Sequence, residues 1–294
     1  MPCLMRRSAL SETLLLGVFL LASSSIQAEE RWIDDHELEA RFRKALVAFR
    51  EDGEYPDGKS IVEQLQEGTY SFDIPSVSKQ ENPIEGALAA TYVVGHIYKC
   101  KDCDKWHSNI AGGVAISPEG LLLTNDHVLR FGDGAVFGVM NAKGEVFPIK
   151  AVLASSKRDD IALVQIEAPS PIPYASFSEK AEVSEKVFVF SHPDTHLFSY
   201  TEGIVSRFYL DTRKKIPRIQ ITADFARGSS GSGIFNAEGK LVGVAVSTRS
   251  VHYDEEEEFP HLQMIVRSGV PLVSIRKLLG IETTAASAKP TEKH

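Results

Sequence analysis

At 294 residues, with 43% hydrophobic and 24% charged side chains, the chain has a globular composition and length for one large domain or two small ones. A formal charge of −8 argues against nucleic acid as a partner, because phosphate backbones are gripped by clustered lysine and arginine. Composition is silent on chemistry.

The N-terminus is more informative. Arg6 and Arg7 precede the apolar run Leu14 to Ala22, and a small, polar stretch closes on Ile26-Gln27-Ala28. That is the order of a secretory signal peptide, and the run is too short to remain as a membrane span; an uncleaved anchor is the other reading. Cleavage after Ala28 would leave 30 basic and 39 acidic side chains, a charge of −9, in a periplasmic or secreted protein with no stable membrane span.

Residues 29–88 form a predicted helical extension. Asp34 or Asp35 can cap a helix whose apolar positions Leu38, Phe42, Ala45, Leu46 and Phe49 recur at helical spacing. A shorter pattern, Ile61, Val62 and Leu65, comes next, and residues 68 to 88 read as irregular connection. An activation peptide, an oligomerisation arm and a structural brace all fit this extension; nothing in the pattern specifies an oligomeric state.

From about residue 90 the period becomes strand-like. Ala90 to Tyr98, Gly113 to Ile116, Leu121 to Thr124, Val136 to Met140, Val146 to Leu153 and Ile161 to Ile166 are short apolar or alternating runs between turn residues, enough for one closed barrel over about 89–170. After Pro169-Ser170-Pro171 come Lys186 to Phe190, Gly203 to Tyr209, Arg218 to Thr222, Gly233 to Asn236, Leu241 to Val246 and His261 to Val266, a second barrel over about 180–268. Val270 to Leu279 reads as a closing helix with Pro271 at its start, and 281–294 as a disordered tail. Of three cysteines, Cys3 goes with the leader. In an exported protein the remaining pair, Cys100 and Cys103, is first a disulfide candidate and second, with His107, a zinc site lacking an evident fourth ligand.

Three blocks carry chemistry. Arg227-Gly228-Ser229-Ser230-Gly231-Ser232-Gly233 holds a serine between glycines on a tight turn, where its hydroxyl stands clear of the backbone and neighbouring amides can face a developing oxyanion. Upstream lie Thr124-Asn125-Asp126-His127-Val128-Leu129 and Asp159-Asp160-Ile161-Ala162-Leu163. Histidine, acid, serine is the chain order of chymotrypsin-type triads and differs from that of the α/β-hydrolases. His192, His196 and His261 have no such block around them and read as structural.

Together the blocks resemble the signatures of the trypsin-like serine endopeptidases, over roughly residues 88 to 280, and are most similar to the bacterial HtrA/Deg and glutamyl-endopeptidase branches. The resemblance implies an all-β fold of two six-stranded antiparallel barrels within a protease domain at 89–280. It also implies hydrolysis of peptide bonds in protein or peptide substrates through an acyl-enzyme, with no cofactor and no metal. By the same resemblance His127, Asp160 and Ser230 are the catalytic residues, and the amides of Gly228, Ser229 and Ser230 form the oxyanion hole. Asp159 is then a surface loop acid, and Asp126 is solvated or turn-forming. Asp224, six positions before Ser230, falls where trypsin-type enzymes place the acid for a basic P1 side chain. No PDZ domain fits after residue 280. A catalytically silent trypsin-fold module that binds peptides is the competing reading.

Overall fold

The computed structural model describes residues 32–75, 82–100, 102–132, 134–211, 215–253 and 261–281. The leader, the acidic run Asp254 to Glu258 and the predicted tail beyond Ile281 lie outside the described residues. From Asp34 onward the chain is one compact unit; Trp32 and Ile33 belong to a separate N-terminal unit.

Six strands, β1 (Thr91–Lys99), β2 (Trp106–Ala115), β3 (Leu121–Thr124), β4 (Val136–Asn141), β5 (Val146–Ser156) and β6 (Ile161–Ile166), close into a barrel in the order β1-β2-β3-β6-β5-β4. Six more, β7 (Lys186–Ser191), β8 (Ser199–Leu210), β9 (Pro217–Ile221), β10 (Gly233–Asn236), β11 (Leu241–His252) and β12 (Leu262–Pro271), close into a second in the order β10-β11-β12-β9-β8-β7. Neighbouring strands are antiparallel in both, so the predicted two-barrel, all-β fold holds.

The strands read as unbroken apolar runs because of where alternate residues go. On β3, Leu122 enters the first barrel's interior with Tyr92, Val94 and Phe137, while Leu121 and Leu123 face the seam between barrels. On β6, Ala162, Val164 and Ile166 point inward, and Ile161 and Leu163 join that seam, where Phe188, Phe235 and Val270 arrive from the second barrel. Both faces are buried, so both are apolar.

Several boundaries depart from expectation: β8 starts earlier, at Ser199, and β11 and β12 run on to His252 and Pro271. Residues 68 to 88 are not wholly irregular: α3 (Pro83–Ala90) forms because Asn82 Oδ1 accepts the Ile84 and Glu85 amides and Pro83 suits a first helical turn. Strand β2 begins at Trp106, well ahead of Gly113, as its outer half pairs with β1 while remaining partly exposed and so carries no apolar run. The closing helix is α5 (Leu272–Leu278).

The N-terminal helix α1 (Asp35–Asp52) is capped by Asp34, whose carboxylate accepts the Glu37 amide at 2.9 Å. It lies across β1 and β4 where Gly95 and Gly138 face one another in register. A Cβ at Gly95 would sit 3.0 Å from the Phe42 ring, and one at Gly138 2.4 Å from Leu46, so the glycine pair makes the seat for these two side chains. Both are fully buried, packed with Val93, Ile97, Met140, Leu197 and Phe198. The short α2 (Gly58–Gln64) sends Ile61 into the first barrel's core. Phe42→Ala is expected to lower stability by about 3–5 kcal/mol, read as a shift of the denaturant midpoint at unchanged slope.

Candidate active site

Strands β3 and β6 are neighbours with Thr124 opposite Ala162, so residues just past β3 and just before β6 lie at the same barrel end. A one-turn helix, α4 (Asp126–Leu129), carries His127 there. Asp160 closes the β5–β6 turn at φ 61°, a left-handed conformation that aspartate tolerates, and Asn125 Nδ2 donates to its carbonyl at 2.8 Å. Asp160 Oδ2 is 2.8 Å from His127 Nδ1, while Oδ1 accepts the His127 backbone amide at 3.0 Å. The acid thus fixes both the ring and the main chain of the histidine.

The serine turn sits against this end of the first barrel. Gly112 on β2 donates its amide to the Ser230 carbonyl at 2.7 Å, and Thr124 Oγ1 donates to the Gly112 carbonyl at 2.8 Å. Ser230 and His127 line one cleft of about 440 Å³ between the barrels. In this arrangement Ser230 Oγ donates to the Val246 carbonyl at 3.1 Å, and no hydrogen bond joins it to His127.

Amide directions around the serine are set by the loop after β7. The Arg227 carbonyl accepts the Asp194 amide at 2.7 Å. In a trans peptide the next N–H points the opposite way, so Gly228 N–H is turned from that loop. Gly228 has φ 95°, and a Cβ there would lie 2.4 Å from the His192 carbonyl, which leaves glycine as the residue that fits. Among the described residues the Gly228 and Ser230 amides donate to no protein acceptor, whereas Ser229 N–H bonds back to Ala226 O at 3.1 Å. The two free donors are therefore Gly228 and Ser230; the Ser229 amide is spent inside the turn, and its side chain is buried.

Electrostatics follow the geometry. The hydrogen bond that His127 donates to Asp160 holds His127 above its ordinary value, against desolvation that would lower it. Burial alone would raise the Asp160 carboxyl, but its bonds and attraction to His127 outweigh this and keep it low. A general base must be neutral, so activity should rise with pH through a His127 midpoint above the ordinary ~6.5. The folding stability contributed by protonated His127 runs the other way: complete below ~6.5 and lost as pH climbs through the raised folded value. A kcat/KM profile whose acid limb has its midpoint at or below ~6.5 would contradict this assignment.

Other expected residues fall elsewhere. Asp159 is buried, not a surface acid, because the β5–β6 turn folds under Arg218, whose Nη1 donates to the Asp159 carbonyl at 3.0 Å. Asp126 is also buried rather than solvated, ion-paired with Arg130 one turn along α4. Neither turns its carboxylate to His127. Asp224 is paired with Arg267 at 2.6 Å and is not among the residues lining the cleft that His127 and Ser230 share. Cys100 and Cys103 are free thiols in the structure, and Cys103 Sγ lies 3.0 Å from His107 Nε2.

Gly112 and Val246 support the serine turn without any motif around them that marks them in the sequence, whereas Thr124 opens the histidine block. His192 is structural, as expected: fully buried, it accepts the Phe198 amide on Nδ1 and so donates from Nε2 to the Tyr92 carbonyl at 3.1 Å. Burial pushes it down to about 4, which keeps it neutral and joins the two barrels beneath the serine turn.

Residues 111–244 match the family of the trypsin-like peptidase domain. Over 178 residues the chain is 29% identical to "Serine endoprotease DegS" of Haemophilus influenzae, covering 58% of this chain and 51% of that protein. A "Probable periplasmic serine endoprotease DegP-like" of Marinomonas is 32% identical over 49% of this chain and 31% of its own. "Periplasmic pH-dependent serine endoprotease DegQ" of Escherichia coli is 27% identical over 68% of this chain and 39% of its own. The chain thus spans about half, or less, of the length of these relatives. No described helix is long and apolar enough to cross a membrane. Blocks, barrels and similarity agree: the chain carries a trypsin-like peptidase domain and is homologous to the DegS, DegP-like and DegQ serine endoproteases.

Proposed function

We propose that this protein is an exported serine endopeptidase that cleaves protein or peptide substrates through His127, Asp160 and Ser230. The observation that carries the reading is the Asp160–His127 hydrogen bond opening onto the same cleft as Ser230, beside two amides with no internal acceptor. In the proposed cycle the Ser230 hydroxyl leaves the Val246 carbonyl by rotation about χ1 and turns to His127 Nε2, which takes its proton as Oγ attacks the substrate carbonyl. The oxyanion accepts from the Gly228 and Ser230 amides. His127 then hands the proton to the departing amine, leaving an acyl-Ser230 ester, and water repeats the sequence to release the acid. Asp160 holds the imidazole in the tautomer with its proton on Nδ1 and stabilises the cation. Export rests on the leader-like residues 1–28 and the word "periplasmic" in the relatives' names.

The Ser230–Val246 bond favours one competing reading, a peptide-binding module that never forms the attacking pair. A fluorophosphonate probe separates the two. Covalent label on Ser230, absent in Ser230→Ala, supports the enzyme; an unlabelled, folded protein supports the module. Mass-spectrometric mapping of cleavage sites in a denatured protein mixture would then read the P1 preference.

A further inference from the structure

The tip of the β1–β2 hairpin carries a second set of reactive side chains that the proposed peptidase chemistry does not use. Cys100 Sγ, Cys103 Sγ and a ring nitrogen of His107 all lie within 4.8 Å of one another. The backbone is built around them. Lys99 and Trp106 form the last ladder pair, and Cys100 N donates to Lys105 O at 2.9 Å to close the tip. Asp104, directly after the second cysteine, takes φ 51°, which swings the chain round and leaves both sulfurs beside the returning strand. His107 is that strand's second residue; its ring lies stacked against Tyr98 at 5.7 Å, across the ladder from it.

Two sulfurs that form no disulfide with each other and an imidazole on one hairpin tip are the donor set and spacing of a soft-metal turn. Two thiolates balance the charge of a divalent ion. Nearby, Asp104 pairs with Lys99 Nζ at 3.1 Å. Among the described residues no fourth histidine, cysteine or acid joins the three. Cys103 and His107 are exposed, so a fourth tetrahedral position opens to water.

We propose that Cys100 Sγ, Cys103 Sγ and His107 Nε2 bind one Zn²⁺ ion, with water as the fourth ligand. The disulfide favoured by the sequence would consume both sulfurs and leave the 3.0 Å Cys103–His107 contact without a purpose. The site lies ahead of the matched segment 111–244, at the end of the strands whose His96 and Asn109 line the cleft. It does not depend on the peptidase reading.

The test uses the reduced, metal-free full chain, titrated with Zn²⁺ against a chromophoric chelator and with Co²⁺ as a spectroscopic stand-in. The expected result is one equivalent bound, with a thiolate-to-cobalt charge-transfer band and visible d–d bands of tetrahedral strength. Cys100→Ser and Cys103→Ser should each weaken Zn²⁺ binding by more than the ~10–100-fold typical of losing an outer partner, and His107→Ala should shift the cobalt bands. Circular dichroism and thermal midpoints of the variants in the absence of metal should match the parent, which separates ligand loss from misfolding. Absence of stoichiometric binding, binding unchanged in all three variants, or a Cys100–Cys103 disulfide that persists in protein isolated in the presence of zinc would overturn the proposal.

Discussion

Asp160→Asn is expected to lower kcat by about 10⁴-fold while leaving the barrels folded. In the parent both carboxylate oxygens are acceptors, one for His127 Nδ1–H and one for the His127 amide. An asparagine can keep only one acceptor. If its oxygen serves the backbone amide, its NH₂ faces Nδ1, which must then give up its proton and accept; the proton moves to Nε2, the atom that has to take hydrogen from Ser230. Asparagine also suits the left-handed backbone at φ 61°, so the change is chemical rather than conformational. The acid limb of kcat/KM should shift downward at the same time, since the carboxylate is the main cause of the raised His127 value. Kinetics and chemical denaturation on the same preparation check both parts. An activity within about tenfold of the parent would sink the role assigned to Asp160.

Gly231→Ala should be the most disruptive single methyl in the second barrel. Its φ of 91° is a conformation that side chains rarely adopt, and the new Cβ would meet the Gly112 carbonyl at 2.1 Å and Thr124 Oγ1 at 2.5 Å. Gly112 also binds the serine turn to the first barrel through its amide, and Thr124 Oγ1 holds the Gly112 carbonyl, so relief by backbone movement separates Ser230 from His127. Strain of about 1–3 kcal/mol and overpacking of about 1–3 kcal/mol together predict a loss of roughly 2–6 kcal/mol, with activity falling alongside. Gly132→Ala serves as the control, because a Cβ there meets nothing within 4 Å. Equal denaturation midpoints for the two variants would refute the argument.

How far the chain can be read without coordinates depends on how local the cause is. Leu121 to Thr124, Ile161 to Ile166 and Gly233 to Asn236 are found with the predicted limits, because each is buried on both faces and so reads as an apolar run bounded by turn or polar residues. Strand β2 reads short in the sequence, since pairing alone holds Trp106 to Ile110 in the ladder and hydrogen bonds leave no apolar trace. Asn82-Pro83 reads as connection because a helix cap and a chain break use the same letters; only the helical geometry of Ile84 to Ala90 decides between them. The Asp224 expectation rests on spacing from the serine, whereas its partner, Arg267, comes from another strand of the barrel.

The sequence alone therefore determined the two-barrel architecture, the closing helix and the three blocks that supply serine, histidine and acid. Their signals are carried by neighbouring residues: period-two burial, turn residues and short motifs. Tertiary structure decided the rest. It alone brings Asp160 to His127, turns the Gly228 amide away from Asp194 while withdrawing that of Ser229, and seats α1 on Gly95 and Gly138. It also folds Cys100, Cys103 and His107 into one cluster. Each of these depends on a distance or direction between atoms that closure of a barrel or hairpin creates, and no local propensity specifies it.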